Sequence, residues 1–274
     1  MQDYLKIARE ISTKISDALI SHLAKNGYNG IVSDNAENSK ATHQVDKIAS
    51  EVVINILQDV PCRIFMESFQ YKSHPNPRFS IFIDPVDGSI NWDRGIGDPG
   101  VCIAISNRLS EIRYKDIEFV YVRGLRTGDI YCYANGEAWY ENKLTAKNWP
   151  LKLIKPIQLS DAMGYLKTGY GGARKQLDKT LPLFELCKDI RAIDNSAMEL
   201  AELSRGATNF IVDARDLSDG YNLLAYPMIN YIGGKITTLD GVEIGELELN
   251  PNQIINFVAA SDHELHNHLL ELIK

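Results

Sequence analysis

The sequence predicts a mixed fold of helices and strands, of the α+β or α/β class, whose two halves are organised differently. The N-terminal half begins with two amphipathic helical patterns and continues with short apolar segments separated by turn signals, which is typical of helices over an antiparallel sheet. The C-terminal half alternates strand-like and helical segments, which indicates an α/β arrangement. We place the boundary near Pro150, which gives halves of 1–150 and 151–274.

Two helices are predicted in the first 60 residues. From Asp3 to Lys25, apolar residues recur every three or four positions, and Gly27 and Gly30 follow as helix-ending residues. The polar segment 35–42 lacks this periodicity and is predicted to be a loop. Helical spacing returns over 46–57, which predicts the second helix.

Two apolar runs that follow these helices are each succeeded by a carboxylate. Arg63–Met66 precedes Glu67, and Ser80–Ile83 precedes Asp84. We therefore expect both carboxylates at strand ends. The other predicted strands are 101–105, 119–122, 130–133, 164–166 and 210–212, and the other predicted helices are 176–187, 197–204 and 222–231.

Composition and charge exclude several classes of function. A net charge of −7 without a Lys/Arg block argues against nucleic acid as a partner. No apolar run approaches the roughly 20 residues of a membrane helix, and the N-terminus lacks a secretion signal, so we expect a cytoplasmic protein. Four cysteines without a CxxC pair predict reduced thiols rather than a zinc site.

The segment Asp84–Ser89 carries the strongest chemical signal. Asp-Pro and Asp-Gly are each ordinary turn dipeptides, and a solvated loop is the plain interpretation of either one alone. Together, after an apolar strand and with Glu67 ending the preceding strand, they favour a site, because clustered carboxylates repel one another unless a divalent cation neutralises them. Oxygen donors favour Mg²⁺ or Mn²⁺ over zinc, and Gly88 allows backbone amides to approach an anion.

At this point the sequence resembles a known family. Ile83–Trp92 is similar to the DPxDG[TS]xN[FW] signature of the inositol monophosphatase superfamily, which includes fructose-1,6-bisphosphatases. Segment 66–68 resembles the EES of the family, with Met66 in place of its first Glu, and 42–48 resembles its helix start. Downstream, 196–201 resembles its substrate-side helix, and Val212–Arg215 resembles the VDxR segment of archaeal-type members.

The resemblance implies metal-assisted hydrolysis of a phosphate ester. It assigns Glu67, Asp84, Asp87 and the backbone carbonyl of Val86 to two Mg²⁺ ions, with Mn²⁺ as the other candidate metal, and gives Glu67 a catalytic role as well. The implied architecture is the layered αβαβα sandwich of the inositol monophosphatase type, with the site between the halves. A homodimer is also implied.

The same resemblance assigns the remaining site residues. Asp46, which a local interpretation makes a helix N-cap, would pair with Ser89 to orient and deprotonate the attacking water. The amides of Gly88 and Ser89 would cradle the phosphate. Glu199 and Asp213 would bind the substrate, a small phosphorylated polyol or sugar; the local alternatives are a solvent-facing Glu199 and a surface ion pair at Asp213.

Two segments depart from the family pattern. The last metal ligand of the family is an Asp before a Gly-Gly turn, but gapless counting back from Gly233 gives Tyr221, and counting forward from Asp213 gives Asn222. We favour Asp219, a nearby carboxylate; ligation by Asn222 and loss of the ligand are the alternatives. The run 95–100 lacks the bulky apolar residue that the family has there.

Two further functions compete with the phosphatase. The alternative that we keep is a non-catalytic protein of the same fold that binds a phosphate ligand. A nucleotide-binding module that uses Gly169–Gly172 is weaker, because these glycines do not follow a known phosphate-loop spacing. In the phosphatase interpretation, that loop and Lys167 are expected to contact the substrate.

Overall fold

The computed structural model describes residues 4–28, 31–33, 42–67, 69, 71, 73–168 and 173–273. Several predicted features therefore lie outside the described residues. These are most of the polar loop 35–42, Gly30 at the end of the first helix pattern, Ser68 of the EES-like segment, and the glycine loop 169–172.

Two helices form the first layer. α1 (Tyr4–Asn26) buries Ala8, Ile11, Ile15 and Leu19, which confirms the predicted periodicity, and the left-handed Gly27 follows its end. α2 (Gln44–Leu57) begins two residues earlier than predicted. A short antiparallel pair, β1 (Ile31–Ser33) and β2 (Thr42–His43), lies between the helices in sequence.

A seven-stranded sheet packs beneath α1 and α2, with its strands in sequence order. Its only parallel pair is β3 with β4. The strands β8 and β9 were not predicted, because their side chains are mostly part-exposed or exposed and give little apolar signal. The strands are β3 (Cys62–Met66), β4 (Phe79–Asp87), β5 (Gly100–Ser106), β6 (Phe119–Gly124), β7 (Ile130–Ala134), β8 (Glu137–Asn142) and β9 (Lys147–Pro150).

The end of β4 differs from the prediction. Asp84 does not end the strand, which continues to Asp87. Asp84 pairs with Cys102 and Asp87 with Gly100, so β4 accommodates one more residue than its partner over this stretch. Because Pro85 has no N–H for the ladder, the strand bulges there while staying extended.

The second sheet has five strands in the order β11-β10-β12-β14-β13. Its β10 is parallel to both neighbours, whereas β14 is antiparallel to β12 and β13. The strands are β10 (Met163–Leu166), β11 (Asp189–Arg191), β12 (Phe210–Asp213), β13 (Lys235–Thr238) and β14 (Phe257–Ala260).

Five more helices complete the chain as described. The predicted helix 222–231 is wrong as one piece: a 3-10 turn, Gly220–Leu223, precedes the helix Tyr226–Tyr231. Pro227 stands in the first turn of that helix, where a missing N–H costs nothing. The helices are α3 (Ser89–Arg94), α4 (Ala173–Leu186), α5 (Ser196–Ser204), α6 (Tyr226–Tyr231) and α7 (His263–Ile273).

Side-chain packing establishes a layered order. α1 and α2 share a core with the outer face of the first sheet, through residues such as Ile81 and Ile83. The opposite face, with Phe82, packs on α5 and α6, which also contact the second sheet. α4 and α7 cover the far side of that sheet through Leu183 and Leu265. The predicted αβαβα sandwich is confirmed, whereas the division of the chain near Pro150 stays a prediction.

Two compositional features complete the description. None of the four cysteines is in a disulfide. Among the described residues, none of the helices combines the length and the apolar character that crossing a bilayer requires.

Candidate active site

A cleft of about 610 Å³ lies where the end of β4 faces the segments that follow β12 and precede α5. It brings together most of the residues that the sequence predicted for the site, although they come from distant parts of the chain. The residues that line it are His43, Asp46, Glu67, Asp84–Ile90, Asp194, Ser196, Arg215–Asp219, Asn222, Pro251, Asn252 and Ile254.

The end of β4 and the turn that follows it form one wall of the cleft. Asp84 accepts a hydrogen bond through Oδ1 from the backbone N–H of Val86, at 3.1 Å. Gly88 adopts a left-handed conformation, with φ of 85°, and α3 begins at the next residue, Ser89. A non-glycine residue is disfavoured at Gly88, because the left-handed region is strained for other side chains. The Cβ of any residue that replaced Gly88 would also lie 3.4 Å from Cγ of Asn195.

Asp87 is buried against the N-terminus of α5. Its Oδ1 accepts from the N–H of Ser196 at 3.2 Å, and its Oδ2 accepts from the N–H of Ala197 at 2.7 Å. Burial raises the pKa of Asp87 to about 7, even though Lys167 and the Ala197 amide oppose this rise, and repulsion from nearby carboxylates adds to it. No local pattern indicates this contact, because α5 begins more than 100 residues later.

Asp46 occupies the third position of α2. It is not the N-cap: that residue is His43, whose N–H donates to Oδ2 of Asp46 at 3.0 Å. Burial raises the pKa of Asp46 to about 7, and the charges of Glu67 and Asp93 contribute to the rise. His43, which sequence reasoning missed, also contacts Oδ2 of Asp93 through Nδ1.

Glu67 follows β3 directly, as predicted. Its N–H donates to the carbonyl of Ile83 at 3.0 Å, which ties it to β4 beside Asp84. Among the residues that the structure describes, no three His, Cys, Asp or Glu side chains converge closely enough to hold a metal ion as they stand. The chemistry of the donors nevertheless fits a hard divalent cation, since they are carboxylate oxygens, and the pKa of Asp46 and of Asp87 is raised to about 7 by burial and by neighbouring carboxylates, which a bound cation would offset.

The opposite wall is built on paired charges. Asp213 accepts from Nε of Arg215 at 3.0 Å and from Nη2 at 2.8 Å, and Ser218 also donates to it. Burial alone would raise the pKa of Asp213, but the hydrogen bonds and charge of Arg215 outweigh it, and the pKa is lowered. Arg215 reaches Asp194 as well, at 3.0 Å, and both of these side chains line the cleft.

The structure places two predicted substrate-binding residues behind this wall. Asp213 and Glu199 are buried and do not line the cleft, because each is paired with a buried cation, Arg215 and Lys167 respectively. Lys167 is itself fully buried and is not a lining residue either. A direct contact of Lys167 with substrate does not fit this position.

The candidates for the last metal ligand are adjacent. Asp219 and Asn222 both line the cleft, whereas Tyr221 is buried outside it. Oδ1 of Asp219 accepts from the N–H of Tyr221 and from Nδ2 of Asn222, both at 3.0 Å. Oδ1 of Asn222 accepts from Oγ of Ser196 at 2.7 Å.

An arginine that sequence reasoning missed holds the loop 95–100, where the family has an apolar residue. Arg126 donates to the carbonyls of Asn91, Trp92, Ile96 and Gly97 at 2.6–3.0 Å, and its guanidinium stacks 5.5 Å from the ring centre of Trp92. Cation–π stacking and carbonyl capping therefore stabilise the end of α3. A single arginine in a turn carries no sequence signal for this role.

Comparison with known proteins was made at the level of sequence and of structure. No family model matches the sequence. The chain is 28% identical over 279 residues to the fructose-1,6-bisphosphatase/inositol-1-monophosphatase of Archaeoglobus fulgidus, and the match covers 100% of this chain and 99% of that protein. The fold is similar to that of a solved inositol monophosphatase–fructose 1,6-bisphosphatase, with a TM-score of 0.81 over 99% of this chain and 100% of the other at 18% identity.

Over its whole length the chain is similar in sequence and in fold to proteins of the inositol monophosphatase and fructose-1,6-bisphosphatase superfamily.

Two other proteins are similar to this chain, one in fold and one in sequence. The extragenic suppressor protein SuhB of Bartonella henselae shares it with a TM-score of 0.81 at 17% identity, over 99% of this chain and 98% of SuhB. The bifunctional NADP phosphatase/NAD kinase of Methanococcus maripaludis is 24% identical over 98% of this chain, which spans only 49% of that protein.

Proposed function

We propose that the protein hydrolyses a small phosphate monoester with the help of a divalent cation. The observation that carries the proposal is the convergence of Asp46, Glu67, Asp84 and Asp87 on one cleft, where the pKa of two of them is raised to about 7. Relatives named as phosphatases support the same reaction class. A non-catalytic phosphate-binding protein is not favoured, because this set of carboxylates would bind an anion poorly unless a cation came with it.

The cation would be held by Glu67, Asp84, Asp87 and the carbonyl of Val86. Mg²⁺ fits this all-oxygen set, and Mn²⁺ is the other candidate. When bound, such an ion polarises the phosphoryl group and lowers the pKa of a nearby water. When the cation binds, these carboxylates would move closer together until they reach ligating distance of it.

The residues around the cation would orient the reactants. Asp46, with a pKa near 7, is suited to accept a proton from the attacking water, because a general base acts best near the working pH. Ser89 would orient that water, and the N–H groups of Gly88 and Ser89 would bind phosphate oxygens. Positioning and charge neutralisation then account for most of the acceleration of an in-line displacement.

We propose Asp219 as the last ligand of the cation, rather than Asn222. The amide oxygen of Asn222 already accepts from Ser196, and its amide nitrogen donates to Asp219. Asn222 therefore faces the carboxylate as a donor, which suits holding Asp219 more than ligating a cation. A carboxylate also binds a hard cation more strongly than an amide does.

Two classes of substrate are open to this cleft. A phosphorylated polyol or sugar, such as an inositol phosphate or fructose 1,6-bisphosphate, fits the names of four relatives. NADP is the second candidate, favoured by one relative and by the apolar side chains of Leu217, Pro251 and Ile254 along one edge of the cleft. A homodimer is carried over from the family resemblance, and the cytoplasm from the sequence-based expectation.

Phosphate release tests the proposal. The wild type is assayed on inositol phosphates, fructose 1,6-bisphosphate and NADP with Mg²⁺ and then with a chelator, and Asp84→Asn is assayed alongside. We expect phosphate release from at least one substrate class in the presence of Mg²⁺ and none with the chelator. In Asp84→Asn the rate of release should fall by 10²-fold or more, on the order of 3 kcal/mol. Chelator-resistant turnover, or full activity in Asp84→Asn, would contradict the metal-dependent reaction.

A further inference from the structure

A fully buried lysine, Lys167, lies behind the cleft and contacts two residues that line it, Ser196 and Asp194. Nζ of Lys167 contacts the carboxylate of Glu199, lies 3.0 Å from Oγ of Ser196 and is 3.8 Å from Oδ1 of Asp194. Burial by itself would lower the pKa of Lys167, but the surrounding carboxylates outweigh it and the pKa is raised. Lys167 is therefore a permanent cation behind the cleft.

The direction of the hydrogen bonds that start at this lysine follows from its chemistry. An ammonium group has three donors and no acceptor, so Ser196 must accept from Lys167. The single hydroxyl proton of Ser196 is then directed to its other close partner, Oδ1 of Asn222, at 2.7 Å. With its oxygen facing Ser196, Asn222 presents Nδ2 to Oδ1 of Asp219, at 3.0 Å.

We propose that Lys167 is a positioning residue: by donating to Ser196 it sets the orientation of the Asn222 amide, and that amide holds the carboxylate of Asp219 at the cleft. The reverse orientation of Asn222 would place its carbonyl against a carboxylate, which is repulsive, and would leave the Ser196 proton without its acceptor. The one-way donor chain is thus Lys167, Ser196, Asn222, Asp219. This inference rests on the proposed function, in which Asp219 is a ligand of the cation.

The same serine couples the two walls of the cleft. Its backbone N–H donates to Oδ1 of Asp87. Its hydroxyl donates to Oδ1 of Asn222, the residue that in turn donates to Asp219. One residue at the start of α5 therefore spaces the carboxylates that would share the cation. An amide is needed at Asn222 for this role, because it accepts from Ser196 and donates to Asp219, and a carboxylate has no donor.

The test uses Ser196→Ala, which removes one link of the donor chain but leaves the ion pair between Lys167 and Glu199 intact. Ser204→Ala is the matched control, because Ser204 is also a buried serine of α5 but donates to the carbonyl of Ala201. Two quantities are measured: the Mg²⁺ dissociation constant by calorimetry without substrate, and the solvent exchange of the Asn222 side-chain amide by NMR. Ser196→Ala is expected to weaken Mg²⁺ binding and to speed amide exchange, each by roughly 10-fold, and Ser196→Thr, which keeps the hydroxyl, to restore both.

A second variant ties the effect to Lys167. Replacing only Lys167 would leave Glu199 as an unpaired buried charge, so Lys167→Met is combined with Glu199→Gln, whose Oε1 still accepts from the N–H of Asp194. This pair should reproduce the Ser196→Ala effects, and adding Ser196→Ala to it should change neither quantity further. Additive effects, or Ser196→Ala behaving like Ser204→Ala, would overturn the proposal. Failure of the wild type to bind Mg²⁺ would contradict the proposed function instead, and the amide exchange would then decide the donor chain alone.

Discussion

The two walls of the cleft carry similar carboxylates in opposite electrostatic settings. On the β4 side, Asp46 and Asp87 stand near further carboxylates, and the pKa of each is raised to about 7. On the β12 side, Asp213 is paired with Arg215 and its pKa is lowered. Burial and mutual repulsion therefore oppose ionisation of Asp46 and Asp87, whereas Arg215 stabilises the charged form of Asp213.

This difference separates binding groups from supporting groups. Buried carboxylates without a matching cation destabilise the fold and persist where a ligand compensates them. Carboxylates paired with buried arginine or lysine fix the position of their neighbours instead. Both groups consist of Asp and Glu, so the sequence alone does not distinguish them. Glu199 and Asp213 were therefore predicted to bind substrate, as Asp84 was predicted to bind metal.

The largest expected effect is on the paired wall. Arg215→Met leaves Asp213 buried without its cation and should lower the free energy of unfolding by about 3–5 kcal/mol. Urea denaturation at neutral pH measures the change. Arg113→Met is the matched control, because Arg113 pairs with Glu246 on an exposed surface, and it should cost less than about 1 kcal/mol. Equal effects of the two substitutions would remove the distinction between the walls.

A substitution on the β4 side of the cleft should act in the opposite direction. The pKa of Asp46 is about 7 in the fold and about 3.9 in an unfolded chain, so its contribution to stability is complete below pH 4 and is lost as the pH rises through 7. Without metal, Asp46→Asn should therefore raise the free energy of unfolding at pH 8 by about 2 kcal/mol and change it little at pH 4. Urea denaturation at both pH values checks this, and destabilisation at pH 8 would contradict the account.

A smaller effect tests the support around Asp213. Ser218 donates to Oδ2 of Asp213 inside the paired wall, and Ser218→Ala should cost about 1.5 kcal/mol, since hydrogen bonds to charged groups contribute this much or more. Thermal unfolding measures it. Ser204→Ala, which removes a neutral hydrogen bond to a backbone carbonyl, should cost less, and the reverse order would be inconsistent with a charged Asp213.

Local signals account for what the sequence predicted correctly. The three- and four-residue spacing of α1 and the fully buried run of β4 are each properties of one segment. The contacts that were missed join distant segments: Asp87 with the start of α5, and His43 with Asp93. This packing decides which carboxylates pair with a buried Lys or Arg side chain. The spacing of residues along the sequence therefore could not reveal these pairs.

The central claim is that the carboxylates on the β4 side of the cleft hold a divalent cation. Calorimetric titration of the metal-free protein with Mg²⁺ at pH 7.5, repeated with Mn²⁺, tests it most directly. The account predicts saturable binding by the wild type, a loss of at least about 10-fold in affinity in Asp84→Asn, worth about 1.4 kcal/mol, and no change in Glu246→Gln, which removes an exposed carboxylate far from the cleft. No binding by the wild type, or equal affinity in Asp84→Asn, would contradict it.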